Sequence, residues 1–310
     1  MKPEILQLVP MNQSVQEQVN QNYINHIVLD GLPSTDILNK VEAIITNGVI
    51  GAPTEMLNAL PNVKLITVHG VGYDNVNTEI LKQRNIKLSI ATNVPTQDVA
   101  DMAIGLLLNV ARQLNLRDQF IREGKWETER CHYQGTSISN KKVGIMGMGP
   151  IGRAIAQRIS AFDNEVSYTA RHQHTDVKWN FVPSLLDLAK QSDIFIIAAS
   201  GGDNSRKAVN QEIIEAIGER GFLINIGRGV TVDEEALIEC LQNKKIAGAG
   251  LDVFADEPHV PQALKDLSNI VMAPHSAGAT YETSKNISIK ILNSLNDYFA
   301  GRSLPDEVKL

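Results

Sequence analysis

Cysteine is scarce in this chain: Cys131 and Cys240 are the only two in 310 residues. They stand far apart and form no C-x-x-C pair, so the sequence offers neither a disulfide framework nor a thiol metal or redox motif. Two reduced thiols suit a cytoplasmic protein, which is the expected location. Long apolar runs are missing too. No stretch approaches the roughly 18 uncharged apolar residues of a membrane span. The run from Ile5 to Val9 is too short for the apolar core of a secretion signal. There is no Lys/Arg-rich run, and 29 basic against 35 acidic residues give a net charge of −6. That balance argues against nucleic acid or another polyanion as a partner. Internal repeats and low-complexity segments are also lacking. With 43% apolar and 21% charged residues, what is left is the composition of an ordinary globular protein, long enough for two domains.

What the chain does have is alternation. Up to about residue 93, short apolar runs at Ile5–Val9, His26–Leu29, Ala43–Thr46, Lys64–Val68 and Lys87–Ile90 read as strands. Polar helical stretches fit between them, around Val15–Asn22, Thr35–Lys40, Pro53–Leu60 and Val76–Arg84. Such an order builds parallel sheets from βα units. Two loops at strand ends, Thr46-Asn47-Gly48-Val49 and His69-Gly70-Val71-Gly72-Tyr73-Asp74, are candidate ligand loops, because ligands in such sheets bind beyond the carboxyl ends of the strands. Tight βα turns are the plainer reading of both.

Pro95-Thr96-Gln97-Asp98 then opens a long apolar helix, with Val99, Met102, Ala103, Leu106, Val110 and Leu114 on one face. Thr96 is its expected N-cap, and so apolar a helix is expected to lie buried between domains. Residues 117 to 140 are more polar and read as an excursion, an interface arm. A second α/β series follows. Its strands are expected at Val143–Met146, Glu165–Thr169, Ile194–Ala198, Phe222–Ile226, Ala247–Val253 and Ile270–Met272. Its helices are expected at Ile151–Phe162, Ser184–Lys190, Gln211–Ile217 and Glu234–Asn243. Six strands with intervening helices suit a doubly wound dinucleotide domain. The stretch Tyr281–Ala300 has Ile287, Ile291, Leu295 and Phe299 at helical spacing and suits a helix returning to the first domain.

The second series begins on its most informative stretch, Lys142 to Arg153. A strand runs into Gly147-x-Gly149-x-x-Gly152, and Ile151, Ile155, Ile159 and Phe162 then repeat at near-helical spacing. In such a motif the first glycine makes a tight turn, the second lets the backbone approach a pyrophosphate, and the third lets the helix sit close on the sheet. The helix N-terminus offers unpaired N–H groups to the anion. Gly147, Gly149, Pro150, Ile151 and Gly152 are therefore candidate cofactor residues, joined by Ile226 at a later strand end. The acid that would hold an adenosine 2′-hydroxyl belongs at the end of the next strand. That strand ends Tyr168-Thr169-Ala170-Arg171-His172, with no Asp or Glu. A guanidinium at Arg171 would attract a 2′-phosphate that an acid would repel, so NADP is expected in preference to NAD, with NAD still possible. Asp176 is a weaker counter-candidate for the hydroxyl. His172 and His174 form an H-x-H pair, but no further ligands cluster near them and no metal is expected.

Three later strand ends could supply a reaction centre. Asn225-Ile226-Gly227-Arg228-Gly229 presents an Arg flanked by glycines, able to grip a carboxylate and polarise a carbonyl beside it. Asp252 to Pro258 places Glu257 on a loop, held by Pro258. Ala273-Pro274-His275 ends the last strand. His275 titrates near neutrality and can donate a proton, and Glu257 beside it would favour imidazolium and fix its orientation. Taken singly, these are a structural Arg, a solvated Glu and a loop His. Taken together at one sheet edge, they suit the reduction of a 2-keto acid, which needs a hydride donor, a proton donor and a cation for the carboxylate.

The whole chain resembles the D-isomer-specific 2-hydroxyacid dehydrogenases. The residues that carry the resemblance are Gly70-Val71-Gly72-Tyr73-Asp74, Gly147 to Gly152, Asn225 to Gly229, Gly250-Leu251-Asp252-Val253-Phe254 with Asp256-Glu257-Pro258, and Pro274-His275. The resemblance implies an α/β fold of two doubly wound parallel-sheet domains. A Rossmann dinucleotide domain, residues 95–280, would be inserted into a flavodoxin-like substrate domain made of residues 1–94 and 281–310. It implies that Arg228, Glu257 and His275 are the catalytic triplet. It gives the Val71 and Gly72 amides to the substrate carboxylate and Asp252 to the nicotinamide amide, in a homodimer. Within the family, Tyr168 to Arg171, Asn225 to Gly229 and Phe120-x-x-x-Gly124-x-Trp126 resemble the NADPH-preferring glyoxylate/hydroxypyruvate and hydroxyphenylpyruvate reductases. The chain departs from the family in two places. Ser200-Gly201-Gly202-Asp203-Asn204 stands where a Pro and a Thr are common, and Ser276 follows His275 where an Ile or Val often does. The alternatives are an NAD-linked dehydrogenase, or a non-catalytic cofactor-sensing binding protein on the same fold.

Overall fold

The computed structural model describes residues 2–28, 33–202 and 205–310. It divides into two compact units, Met1–Pro95 with Gly278–Leu310, and Thr96–Ala277.

The first unit is built on five parallel strands, β1 (Glu4–Gln7), β2 (Ile24–Ile27), β3 (Val41–Thr46), β4 (Leu65–Val68) and β5 (Lys87–Ile90), in the order β2-β1-β3-β4-β5. That is the flavodoxin-like order of a doubly wound sheet. The expected second strand began two residues late, and its last residue, Leu29, lies outside the described residues. The helices between strands are α1 (Gln13–Asn22), α2 (Thr35–Leu38), α3 (Thr54–Ala59) and α4 (Thr78–Arg84). Asparagines set several of their ends. The Asn12 and Asn77 side chains accept from the N–H groups of Ser14 and Ile80 at the N-termini of α1 and α4, where an acceptor side chain satisfies an otherwise unpaired donor. Asn85 ends α4 in the left-handed region, as C-terminal residues often do.

The second unit starts with α5 (Thr96–Arg112), followed by α6 (Leu114–Arg122) and a single 3-10 turn at Lys125–Glu127. Three expectations change here. Thr96 is the first helical residue rather than the cap. Leu114 does not continue the face of α5, because Gln113 takes a left-handed φ of 53° and restarts the chain as α6. The polar excursion is thus partly helical. The face of α5 is covered from within its own unit, by the sheet and by α7 (Pro150–Ser160). Gly105 in its interior costs about 1 kcal/mol of helix propensity. Leu106, Leu107 and Val110 are buried, at roughly 2 kcal/mol each for an aliphatic side chain, so packing decides the matter.

Seven parallel strands follow: β6 (Lys142–Met146), β7 (Glu165–Thr169), β8 (Asn180–Phe181), β9 (Ile194–Ile197), β10 (Phe222–Asn225), β11 (Gly248–Leu251) and β12 (Ile270–Met272). Between them lie α8 (Leu185–Lys190), α9 (Gln211–Ile217), α10 (Glu234–Gln242) and α11 (Gln262–Lys265). The sheet runs β12-β11-β10-β9-β6-β7-β8, the strand order of a Rossmann domain with one further strand. The central strands β9 and β10 are buried at every position, as parallel strands covered on both faces must be. The sequence showed six of the seven. The seventh, β8, is two residues long and carries no periodic signal. In β11 a side chain at Gly250 would meet the Leu106 Cβ at 3.0 Å, so glycine there lets α5 lie directly on the sheet. The last helix, α12 (Tyr281–Phe299), belongs to the first unit, packs against α1, β4 and β5, and is capped by the Thr280 hydroxyl on the Thr283 N–H.

Candidate active site

Because every strand of the second unit runs the same way, the residues just past the strands share one edge of the sheet. Gly147 follows β6, Arg171 follows β7, Arg228 follows β10, Glu257 follows β11 and His275 follows β12. The order of strands reverses between β6 and β9, and this switch point is where doubly wound sheets open a crevice for ligands.

The Gly-rich turn sits at that point. Gly147 has φ of 100°, and α7 begins at Pro150 with Gly149 as N-cap and no side chain capping it. The first turn of α7 therefore keeps its donors for another group. A Cβ on Gly149 would meet nothing within 4 Å, so the space above it is open to a diphosphate. These residues fit a dinucleotide. Arg171 is exposed two residues beyond β7. Asp176 is not free to serve as the ribose acid, because the Arg153 guanidinium grips it at 2.6 Å and holds its carboxyl below the usual range. His174 turns its Nδ1 to the same guanidinium at 3.1 Å. Ile226 is buried at the end of β10. In the loop after β9, Asp203 and Asn204 lie outside the described residues.

Arg228 is positioned by its neighbours. The Asn225 side chain folds the turn after β10, donating to the Arg228 carbonyl at 3.0 Å and accepting from the Gly227 N–H at 3.1 Å. A Cβ at Gly229 would fall 1.9 Å from the Phe254 carbonyl carbon. The sequence suggested that glycines leave Arg228 uncovered. The stronger reason is that the backbone of this turn touches the loop after β11, and no side chain fits between them. The half-buried Arg228 donates from Nη1 to the Gly227 carbonyl at 2.8 Å.

The same Phe254 holds the next group. Its N–H donates to Glu257 Oε1 at 3.0 Å, and Glu257 Oε2 lies 2.6 Å from His275 Nδ1. Burial alone would push the Glu257 carboxyl up. The hydrogen bonds from His275 and the Phe254 N–H, with the charges of His275 and Arg228, outweigh it and hold the carboxyl below its ordinary range. The bond to Glu257 raises His275 above its ordinary value of 6.5, against the opposing pull of burial. With Nδ1 facing a carboxylate, the ring presents Nε2 outward, and the His275 side chain is 42% exposed.

His275 itself is held in the left-handed region, at φ of 50°, a conformation that costs a non-glycine residue about 1 kcal/mol or more. Asp252 provides the compensation. Its carbonyl accepts the His275 N–H at 2.7 Å, and its two carboxylate oxygens accept the Ser276 and Ala277 N–H groups at 2.8 and 2.9 Å. The side chain is buried, which pushes its carboxyl up against those two bonds. Sequence reasoning assigned Asp252 through family resemblance to the cofactor and missed this shaping of the His loop. No pattern of residue types announces a carboxylate that binds backbone N–H groups twenty-odd residues away.

The other candidate residues belong to the first unit. Gly70 has φ of 144°, and neither the Val71 nor the Gly72 N–H has a hydrogen-bond partner among the described residues. The neighbouring loop is stitched to this one. Asn75 Nδ2 donates to the Val49 carbonyl at 2.8 Å, and the Ala52 N–H donates to the Asn75 carbonyl at 3.0 Å.

A doubly wound sheet with this turn and this His–Glu pair at its carboxyl edge defines a nicotinamide-dependent oxidoreductase. Comparison with known proteins narrows the class. Residues 104–277 match the model of the D-isomer specific 2-hydroxyacid dehydrogenase, NAD binding domain. The chain is 40% identical to a 2-ketogluconate reductase of Gluconobacter oxydans, over 98% of this chain and 97% of that one. It is 35% identical to a glyoxylate/hydroxypyruvate reductase A of Arabidopsis thaliana, over 97% of each. Among solved structures, the NADPH-dependent glyoxylate/hydroxypyruvate reductase of Sinorhizobium meliloti, in complex with NADP and malonate, superposes with a TM-score of 0.94 at 34% identity, covering 99% of this chain and 97% of that one. The chain belongs to the D-isomer-specific 2-hydroxyacid dehydrogenase family. No helix among the described residues is long and apolar enough to cross a membrane.

Proposed function

We propose that this protein is an NADPH-preferring reductase of small 2-keto acids, of the glyoxylate and hydroxypyruvate kind, yielding the D-2-hydroxy acid. The observation that carries the reading is the His275–Glu257 contact of 2.6 Å, at the same sheet edge as Arg228 and the Gly-rich turn. When bound, the nicotinamide supplies the hydride that C2 of the keto acid accepts. His275 Nε2 delivers the proton to the carbonyl oxygen, as a general acid whose charged form Glu257 stabilises. Glu257 also fixes the ring, since its other oxygen is anchored on the Phe254 N–H. Arg228 pairs with the substrate carboxylate and draws electron density from the adjoining carbonyl. The unpaired Val71 and Gly72 amides of the first unit are suited to a carboxylate. Gly147, Gly149, Pro150, Ile151 and Gly152 would hold the cofactor diphosphate, Ile226 is a further candidate contact to the cofactor, and Asp252 keeps the His275 loop in shape.

Arg171 is the basis for NADP over NAD. The name of the Sinorhizobium meliloti relative, an NADPH-dependent enzyme, points the same way. The protein works as a homodimer in the cytoplasm on this reading. Its exposed Leu114, Ile121 and Trp126 on the arm after α5 suit a second copy, and its two unpaired thiols suit a reducing compartment.

The test is oxidation of NADPH, and separately of NADH, across a panel of 2-keto acids, with wild type and Arg171→Ala. Turnover of a short 2-keto acid is expected, with a KM for NADPH well below that for NADH, and Arg171→Ala should raise the first far more than the second. Equal effects of Arg171→Ala on both cofactors would remove Arg171 from the site, and a wild type with the lower KM for NADH would favour the NAD-linked reading. Cofactor binding without any turnover would favour a binding protein.

A further inference from the structure

The loop after β7 holds a cluster that the Gly-rich motif does not explain. The Tyr168 ring is fully buried on β7, and its hydroxyl accepts the His174 N–H at 2.8 Å and donates to the His174 carbonyl at 3.2 Å. This pins the loop from inside the core. From the outside, Arg153 reaches over from the first turn of α7. Its Nε donates to the Met148 carbonyl, between the first two glycines of the turn, at 3.1 Å. Its two Nη atoms hold the Asp176 carboxylate as a fork, at 2.6 and 3.0 Å, and Nη2 also meets His174 Nδ1 at 3.1 Å. One guanidinium therefore joins the diphosphate turn to the loop that carries Arg171.

Asp176 is not what keeps that loop in place, because Tyr168 already does so from its buried side. The Asp176 side chain is 66% exposed, and an ion pair so exposed contributes little to stability. A carboxylate in a guanidinium fork does, however, offer the same two-oxygen edge as a phosphate. A phosphate carries more charge and makes the stronger bonds. Arg153 keeps its aim when Asp176 leaves, since its Nε remains on the Met148 carbonyl.

We propose that Arg153 is a second cation, beside Arg171, for the 2′-phosphate of NADP, and that Asp176 is a place-holding carboxylate which that phosphate displaces. The inference rests on the NADP reading above and adds two specificity-determining residues to it. The displacement weakens phosphate binding by the strength of the pair it breaks. It leaves NAD, with a hydroxyl at that position, untouched. The Asp176 carboxylate also repels an incoming phosphate, so it limits how far the protein discriminates.

The test uses binding alone. Titration calorimetry of the full chain with 2′,5′-ADP and with 5′-AMP, two probes that differ by the 2′-phosphate, is compared for wild type, Asp176→Asn, Arg153→Ala and Arg171→Ala. Asp176→Asn should bind 2′,5′-ADP several-fold tighter and 5′-AMP unchanged. Arg153→Ala should lose about tenfold or more for 2′,5′-ADP, the scale of one charge-assisted contact, with little change for 5′-AMP. Arg153→Lys, which keeps the charge without the fork, should fall between. Unchanged or weaker 2′,5′-ADP binding by Asp176→Asn overturns the proposal, as does equal loss of both probes in Arg153→Ala. A wild type that binds the two probes alike refutes the NADP reading and this inference with it. A wild type that prefers 2′,5′-ADP and loses that preference in Arg171→Ala, but not in Arg153→Ala, refutes only this inference.

Discussion

Replacing Gly149 and Gly152 by alanine, one at a time, should separate folding from cofactor binding within a single turn. A Cβ on Gly152 would lie 2.0 Å from the Gly147 carbonyl oxygen and 3.0 Å from its carbon. Both are backbone atoms, so no side-chain rotation relieves the clash and α7 must move off β6. That helix buries Ala154, Ile155, Ala156 and Ile159, and its displacement loosens their packing. Overpacking of this kind costs roughly 1–3 kcal/mol. Taking the upper value, the melting temperature of a unit this size should fall by about 6–12 °C. Gly149 differs in both respects. Its φ of −72° is ordinary for any residue, and a Cβ there meets nothing within 4 Å. The folding cost is that of a poorer N-cap, about 1 kcal/mol or less. The added methyl does occupy the space where a diphosphate would approach the backbone. Loss of one charge-assisted hydrogen bond there corresponds to about 10- to 100-fold in Kd. Thermal melts with and without NADPH, together with direct titration, read both effects. Wild type at about a hundred times Kd gains roughly 2.7 kcal/mol from the ligand. Gly149→Ala should melt near wild type alone and lose most of the ligand-induced rise, and Gly152→Ala should melt low even without ligand. A Gly149→Ala protein that binds NADPH like wild type would refute the placement of the diphosphate. A Gly152→Ala protein that melts like wild type would refute the packing argument.

His275→Ala should lower kcat by about 10²–10⁴, the range for loss of a general acid, while the Kd for NADPH stays near wild type because the Gly-rich turn is untouched; near-normal turnover would remove His275 from the chemistry. Glu257→Gln should change the pH profile as well as the rate. Reduction uses the imidazolium, so kcat/KM falls as pH rises through the His275 pKa, which the bond to Glu257 and then its charge hold above 6.5. Without that carboxylate, burial and the Arg228 charge push the other way, and the falling limb moves to lower pH. A limb that stays where it was would show that another group sets it.

Much of this fold is legible in the sequence, for identifiable reasons. Lys87–Ile90, Glu165–Thr169, Gln211–Ile217 and Ile270–Met272 fall where the sequence pattern placed them, and β9, Ile-Phe-Ile-Ile, is apolar at every position because a parallel strand covered on both faces is buried throughout. Family resemblance named Arg228, Glu257 and His275, and the fold brings their strand ends to one edge. What stayed hidden depends on contacts between distant residues. The break at Gln113 is a single left-handed residue inside an apolar pattern, and propensity gives no sign of it. Glycine at position 229 is explained only once Phe254 is seen against it. Asp176 reads in the sequence as a weaker candidate for the ribose hydroxyl, and only the fold shows Arg153 holding it.

The strand order also explains why cofactor choice and chemistry can vary separately. Arg171 follows β7 and His275 follows β12, and five strand spacings separate those strands in the sheet, on the order of 24 Å at about 4.8 Å each. Groups so far apart with no shared partner contribute nearly additively. If Arg153, Asp176 and Arg171 set which adenosine is held, as proposed, changes there should appear in cofactor affinity. On the proposed reading Arg228, Glu257 and His275 set what happens at the carbonyl, and changes there should appear in turnover. The Gly-rich turn follows β6, between the two groups in the sheet, so a defect there should weaken NADPH and NADH alike. That combination, equal loss for both cofactors from the turn and selective loss from the β7 side, is what the topology requires of a dinucleotide laid along this edge.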